Sequence, residues 1–141
     1  MCVVMPMSIE PERGAPAAPK VLVVEDEAGL LFVTSDSLVH DGGFEVIEAR
    51  SADEAVEILS SRNDIACVFT DVRMPGKIDG LELTRLVMAR YPGLPVLMTS
   101  GNLRPAERVA NVPFLTKPYD LQHLSLAIRA LIAEFRPGKA P

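Results

Sequence analysis

Thiols, imidazoles and aromatic rings are scarce in this 141-residue chain, which holds two cysteines, two histidines and no tryptophan. Cys2 and Cys67 are too few for a disulfide framework or a zinc site, and suit a reducing compartment. With aromatics at 5% of residues, no stacking platform for single-stranded nucleic acid is expected. Positive charge is also short: 14 Lys+Arg face 19 Asp+Glu, a net charge of −5. No basic face is therefore available to displace counterions from a duplex. No apolar run approaches the ~20 residues of a membrane-spanning helix, and MCVVMPMSIE lacks a basic start and a long apolar stretch. The expected setting is the cytoplasm, with neither nucleic acid nor membrane as partner.

What the chain does have is enough apolar residue, 48%, for one buried core. Proline marks its ends: Pro6, Pro11, Pro16 and Pro19 precede residue 20, and Pro137 and Pro141 close the sequence. Residues 1–19 read as a flexible arm, residues 20–135 as one domain, and residues 136–141 as a tail. Inside the domain, apolar runs alternate with helical patterns. Val21–Val24 is a β-branched run suited to a strand buried on both faces. Leu30, Leu31, Thr34, Leu38 and Val39 follow at helical spacing, stopped by Asp41-Gly42-Gly43. Further strands are expected over Phe44–Glu48, Ile65–Thr70, Val96–Thr99 and Phe114-Leu115. Further helices are expected after Ser51, over Leu81–Ala89, and after Asp120. Five strands alternating with helices point to an α/β fold of flavodoxin-like type, a doubly wound parallel sheet in the order 2-1-3-4-5.

In such a sheet, ligands bind outside the carboxyl ends of the strands. Strand one runs into Glu25-Asp26-Glu27, strand three into Asp71, strand four into Ser100, and strand five into Lys117-Pro118. Each has an ordinary reading alone: the three acids could open a helix, Asp71 and Ser100 could start turns, and Lys117 could be solvated. Together they place carboxylates, a hydroxyl and an ammonium on one edge. Oxygen ligands without His or Cys select a hard cation, Mg²⁺ or Mn²⁺. With that charge and Lys117 offsetting the acids, an anionic phosphoryl donor can approach Asp71, whose carboxylate can act as nucleophile. A haloacid-dehalogenase type of phosphatase would need an Asp two positions after Asp71, where Arg73 stands. A nucleotide-binding module would need a loop after strand one without three acids. His40 and His123 read as surface residues, and Cys67 as core filler.

The motifs Val-Val-Glu25-Asp26-Glu27, Phe-Thr-Asp71-Val-Arg-Met74-Pro75, Asp79-Gly80, Met-Thr-Ser100-Gly101 and Phe114-Leu-Thr-Lys117-Pro118 resemble the receiver domain of two-component response regulators. The resemblance implies Asp71 as phosphoacceptor, phosphorylated by a sensor histidine kinase or a histidine phosphotransfer protein. It implies Asp26, Asp71 and the backbone carbonyl of Arg73 as Mg²⁺ ligands, with Glu25 acting through water. Lys117 and Ser100 would bind the phosphoryl group, and Phe114 would be the aromatic switch. On this reading the chain is not an enzyme with a separate substrate; it catalyses only its own phosphoryl transfer and aspartyl-phosphate hydrolysis. Output would pass to an unidentified downstream protein, or the chain would serve as a phosphate shuttle or sink; too few residues follow Phe135 for an output domain. The alternative is a receiver-like scaffold that binds partners without phosphorylation.

Three features depart from the usual pattern. One extra residue lies in Gly76-Lys77-Ile78, the switch aromatic is Phe114 without a hydroxyl, and Ser100 precedes Phe114 by only 14 positions. Pro105 and Pro113 interrupt that last segment, so the fourth helix should be short or irregular, and the segment loose until phosphorylation orders it. Shortened segments of this kind also resemble single-domain receivers.

Overall fold

A computed structural model describes residues 17–102 and 104–135. The arm expected over residues 1–19 lies outside the described residues except for Ala17, Ala18 and Pro19, and the tail 136–141 lies wholly outside them. In chain order the elements are β1 (Lys20–Val24), α1 (Ala28–His40), β2 (Glu45–Ala49), α2 (Ala52–Ser61) and β3 (Ile65–Asp71). These are followed by α3 (Gly80–Arg90), β4 (Val96–Ser100), β5 (Phe114–Thr116) and α4 (Leu121–Glu134). The strands form one sheet in the order β2-β1-β3-β4-β5, and every pairing is parallel. Between β4 and β5 the described residues hold only a single 3₁₀ turn, Pro105–Glu107. The flavodoxin-like architecture expected from the sequence is therefore the observed one, with the irregular fourth helix reduced to that turn.

Burial on both faces explains the unbroken apolar strands. Leu22, Val24, Val68 and Met98 pack on one side with Leu59 of α2 and Leu83 and Val87 of α3. Val21, Val23, Cys67, Phe69 and Leu97 pack on the other with Leu31 and Leu38 of α1 and Leu124 and Ile128 of α4. Alternate residues of one strand thus feed two cores, as the period of two requires. Cys67 is fully buried, and burial pushes its thiol pKa up to about 12, so it serves as core filler. His40 lies on the surface with its ring 3.3 Å from Asp36, and His123 is exposed.

Side-chain caps set where the helices begin. Glu27 caps α1 by accepting from the Leu30 amide, and Ser51 caps α2 by accepting from Glu54. Asp120 caps α4 by accepting from the Gln122 and His123 amides. Asp79 and Glu82 form a reciprocal capping box on α3. Such caps are each worth roughly 1 kcal/mol. Strand two differs from expectation by one residue, running over Glu45–Ala49. Phe44 turns instead into the α1 core, 3% exposed, after the left-handed Gly43.

Candidate functional site

The carboxyl ends of β1 and β3 abut at the centre of the sheet, where Val24 and Thr70 are paired. Beyond them, one carboxylate oxygen from each of Glu25, Asp26 and Asp71 lies within 4.8 Å of the others. Glu25 and Asp71 are buried, and Asp26 is half-buried. Lys117, one residue past β5, reaches across to donate to Asp71 at 2.8 Å and to Glu25 at 3.2 Å. Three carboxylates and one ammonium, drawn from three strand ends, therefore occupy one cleft. The cluster keeps a surplus of negative charge in partly desolvated surroundings.

The electrostatics follow from that crowding. Burial raises the Glu25 pKa above the ordinary glutamate value, against the lowering effects of the Glu27 N–H and of Lys117. Burial works to lower that of Lys117, but its bonds and charge contacts with Asp71 and Glu25 outweigh it and hold the ammonium above its usual value. Lys117 is therefore charged throughout the physiological range.

The three adjacent acids divide their work. Glu25 accepts from the Glu27 amide at 3.1 Å, Glu27 caps α1, and Asp26 projects into the cluster while its carbonyl accepts from Arg50 at 3.3 Å. Lys117 is positioned from two sides. Its amide donates to the Ser100 carbonyl at 3.0 Å, and two residues on, the hydroxyls of Tyr119 and Thr34 of α1 are hydrogen-bonded at 2.9 Å. The Tyr119 ring also packs edge-on against Phe69, centroids 5.4 Å apart.

Asp71 is held by a close backbone approach. The Gly80 amide donates to the Val72 carbonyl at 2.9 Å, and a Cβ at Gly80 would stand 1.6 Å from the Asp71 carbonyl oxygen. Only glycine fits there. In the β3–α3 loop Gly76 has a φ of +131°, and Asp53 of α2 accepts from the Lys77 amide at 3.0 Å.

The remaining expected residues lie toward the β4–β5 edge. Ser100 ends β4 fully buried, its hydroxyl accepting from Arg73 Nη1 at 3.3 Å and from the Asn102 amide at 3.2 Å. Phe114 is half-buried on β5, with the Arg108 guanidinium 5.0 Å from its ring centroid. The Ser100 hydroxyl makes no hydrogen bond to the carboxylate cluster among the described residues. Arg73, expected only for its backbone, sends its side chain to Glu107 at 2.6 Å and to the Asn102 carbonyl at 2.9 Å. Sequence reading missed the roles of Arg73's side chain, Glu107, Gly80 and the Thr34–Tyr119 pair. Asp-Gly before a helix was a usable signal for Gly80; the others carry no local mark.

The family model for the response regulator receiver domain matches residues 21–129. The chain belongs to this family. It is 36% identical over 129 residues to the response regulator protein FleR of Pseudomonas aeruginosa, covering 88% of this chain and 26% of FleR. It thus spans about a quarter of that relative. Among solved structures, a response regulator receiver protein from Sinorhizobium medicae superposes with a TM-score of 0.77 at 30% identity, covering 84% of this chain and 98% of that one. The response regulator TrrA of Thermotoga maritima, solved in complex with Mg(2+)-BeF, shares the fold with a TM-score of 0.70 at 22% identity, covering 80% of this chain and 98% of TrrA. No helix among the described residues of this receiver domain is long and apolar enough to cross a membrane.

Proposed function

We propose that this receiver domain accepts a phosphoryl group on Asp71 from a sensor histidine kinase or a histidine phosphotransfer protein, with Mg²⁺ (or Mn²⁺) as cofactor. The observation that carries the reading is the 2.8 Å contact of Lys117 with Asp71 inside a cluster of three converging carboxylates. An all-oxygen set of this size suits a hard divalent cation. Asp26, Asp71 and the backbone carbonyl of Arg73 would hold it, with Glu25 acting through water. When bound, the cation supplies positive charge that offsets the acids and the incoming phosphate.

An Asp71 carboxylate oxygen attacks phosphorus, forming a new P–O bond. The bond from phosphorus to the donor's imidazole nitrogen breaks, and that nitrogen leaves with the electron pair. Lys117, already on Asp71, turns its ammonium to a phosphoryl oxygen and keeps its bond to Glu25. Ser100 donates a hydrogen bond from its hydroxyl to another phosphoryl oxygen, and Phe114 follows it as the switch aromatic. Hydrolysis of the acyl phosphate returns the carboxylate, so the chain turns over only its own phosphoryl group. Downstream, the altered surface is read by a protein partner, or the phosphoryl group passes on in a relay.

Acetyl phosphate tests the reading. Intact-mass measurement should show one added phosphoryl group with Mg²⁺, none with chelator, and none in Asp71→Asn. Labelling at another residue, or labelling indifferent to chelator, would overturn it.

A further inference from the structure

The segment that replaces a fourth helix has few backbone hydrogen bonds of its own among the described residues: Glu107 to Arg104, Arg108 to Pro105, and Val112 to Val109. What the prolines leave loose, Arg73 ties to the site. Its guanidinium spans the gap between the β3–α3 loop and this segment, bonding Ser100 Oγ, the Asn102 carbonyl and Glu107 Oε1. The fork sits two residues after Asp71 and one hydrogen bond from the hydroxyl expected to bond the phosphoryl group on Asp71.

The hydrogen-bond arithmetic at Ser100 is specific. Arg73 Nη1 and the Asn102 amide both donate to its oxygen, filling its two lone pairs and leaving its one proton free to donate. A phosphoryl group that accepts a hydrogen bond from that O–H arrives beside the Arg73 guanidinium. It carries about −1.5 to −2 charge, against −1 for Glu107, and planar guanidinium forks bind phosphate oxygens well. Release would not strand the carboxylate, since Glu107 Oε1 also accepts from the Arg104 amide at 2.9 Å.

We infer that Arg73 is a shared positioning residue: Glu107 holds its guanidinium in the free protein, and the phosphoryl group on Asp71 takes it over. The inference rests on Asp71 being the phosphoacceptor. Glu107 then acts as a brake, neutralising a cation that would otherwise draw the phosphodonor. Transfer of Arg73 also cuts the segment's tie to Glu107, so phosphorylation releases the segment, the reverse of the ordering expected from its prolines, and carries the state of Asp71 to the β4–β5 edge without a helix to shift.

The test is the rate of Asp71 phosphorylation by acetyl phosphate at saturating Mg²⁺, followed by intact mass in the full chain. The attacking Asp71 oxygen forms the P–O bond, and acetate departs with the electron pair. Glu107→Gln should react about twofold to fivefold faster, the span of a partly exposed ion pair. Arg73→Gln should react more slowly than wild type, and the double variant should match Arg73→Gln alone. A Glu107 of purely structural importance would lower the melting temperature and give no acceleration. Wild type that labels while Glu107→Gln is no faster overturns the brake alone. Equal acceleration in the Arg73→Gln background overturns it too, since the effect would bypass the guanidinium. Wild type that does not label at Asp71 overturns the phosphoacceptor reading, and the brake with it.

Discussion

The two sides of the site are built by different means. On the β1–β3 side, strand pairing, helix caps and a backbone contact with room for nothing larger than glycine hold each acid in place. On the β4–β5 side, the segment joining the paired strands is held, among the described residues, by one 3₁₀ turn, a few backbone bonds and a guanidinium. The first side gains its precision from cooperative packing, so an error of one methyl group propagates through the core. The second depends on polar contacts near solvent, each worth little and each replaceable. A receiver has use for both, because chemistry needs fixed oxygens and a signal needs a surface with more than one arrangement.

Two glycines put that contrast to its severest test. A Cβ at Gly80 would meet the Asp71 carbonyl at 1.6 Å, whereas one at Gly101 meets nothing within 4 Å. Gly80→Ala should lose about 3 kcal/mol of unfolding free energy, and Gly101→Ala about 0.5 kcal/mol or less in either direction. Urea titration measures both. Equal losses would mean that the two sides are equally rigid.

Lys117 joins the two sides, and its removal should be felt next. Lys117→Ala leaves Glu25, Asp26 and Asp71 without their ammonium, at a cost of about 2 kcal/mol without metal, less than for a fully buried pair because Lys117 is partly exposed. On the proposed function Mg²⁺ would bind only the assembled cluster, and adding it should restore much of the loss by mass action. Asp71→Asn relieves crowding in the same cleft and should raise the metal-free melting temperature while weakening the Mg²⁺ response. Melting curves with and without Mg²⁺ decide this. A Lys117→Ala protein as stable as wild type without metal would show that the acids do not repel appreciably.

The legible and illegible parts of the sequence divide along the same line. Val21–Val24 announced a central strand because both faces of it are covered, and the strand-end positions of Asp71 and Ser100 followed from the sheet order. Asp120 and Ser51 were readable as caps because the apolar period starts just after them. The family resemblance assigns Glu25 and Asp26 to the metal site, but it leaves Glu27 without a role: that depends on where the first α1 amide points, which places Glu27 on the helix and leaves Glu25 for the cleft. Phe44 was read into β2 by its apolar character, yet the turn at Gly42-Gly43 delivers it to the α1 core. Arg73 and Glu107 stand 34 positions apart, and no periodicity links them. Pro105 and Pro113 did signal the missing helix, since proline removes amide donors and fixes φ, but not what would hold the segment instead.

The smallest effect tests that hold directly. Bonding by the Arg104 amide, aided by the Arg73 charge, sets the Glu107 pKa below the ordinary glutamate value. Because the folded value is the lower one, the contribution of Glu107 to stability is fully present above the unfolded pKa of about 4.3 and is lost as pH falls through the folded value. Side-chain NMR titration of Glu107 should therefore give a midpoint below the ordinary glutamate value. In Arg73→Gln the midpoint should move upward only part of the way, since the Arg104 amide remains and is the stronger influence. An unchanged midpoint would mean that the guanidinium does not engage Glu107 in solution, and the polar side of the site would then be held by backbone turns alone. A midpoint restored to the ordinary value would shift the credit the other way, from the amide to the guanidinium.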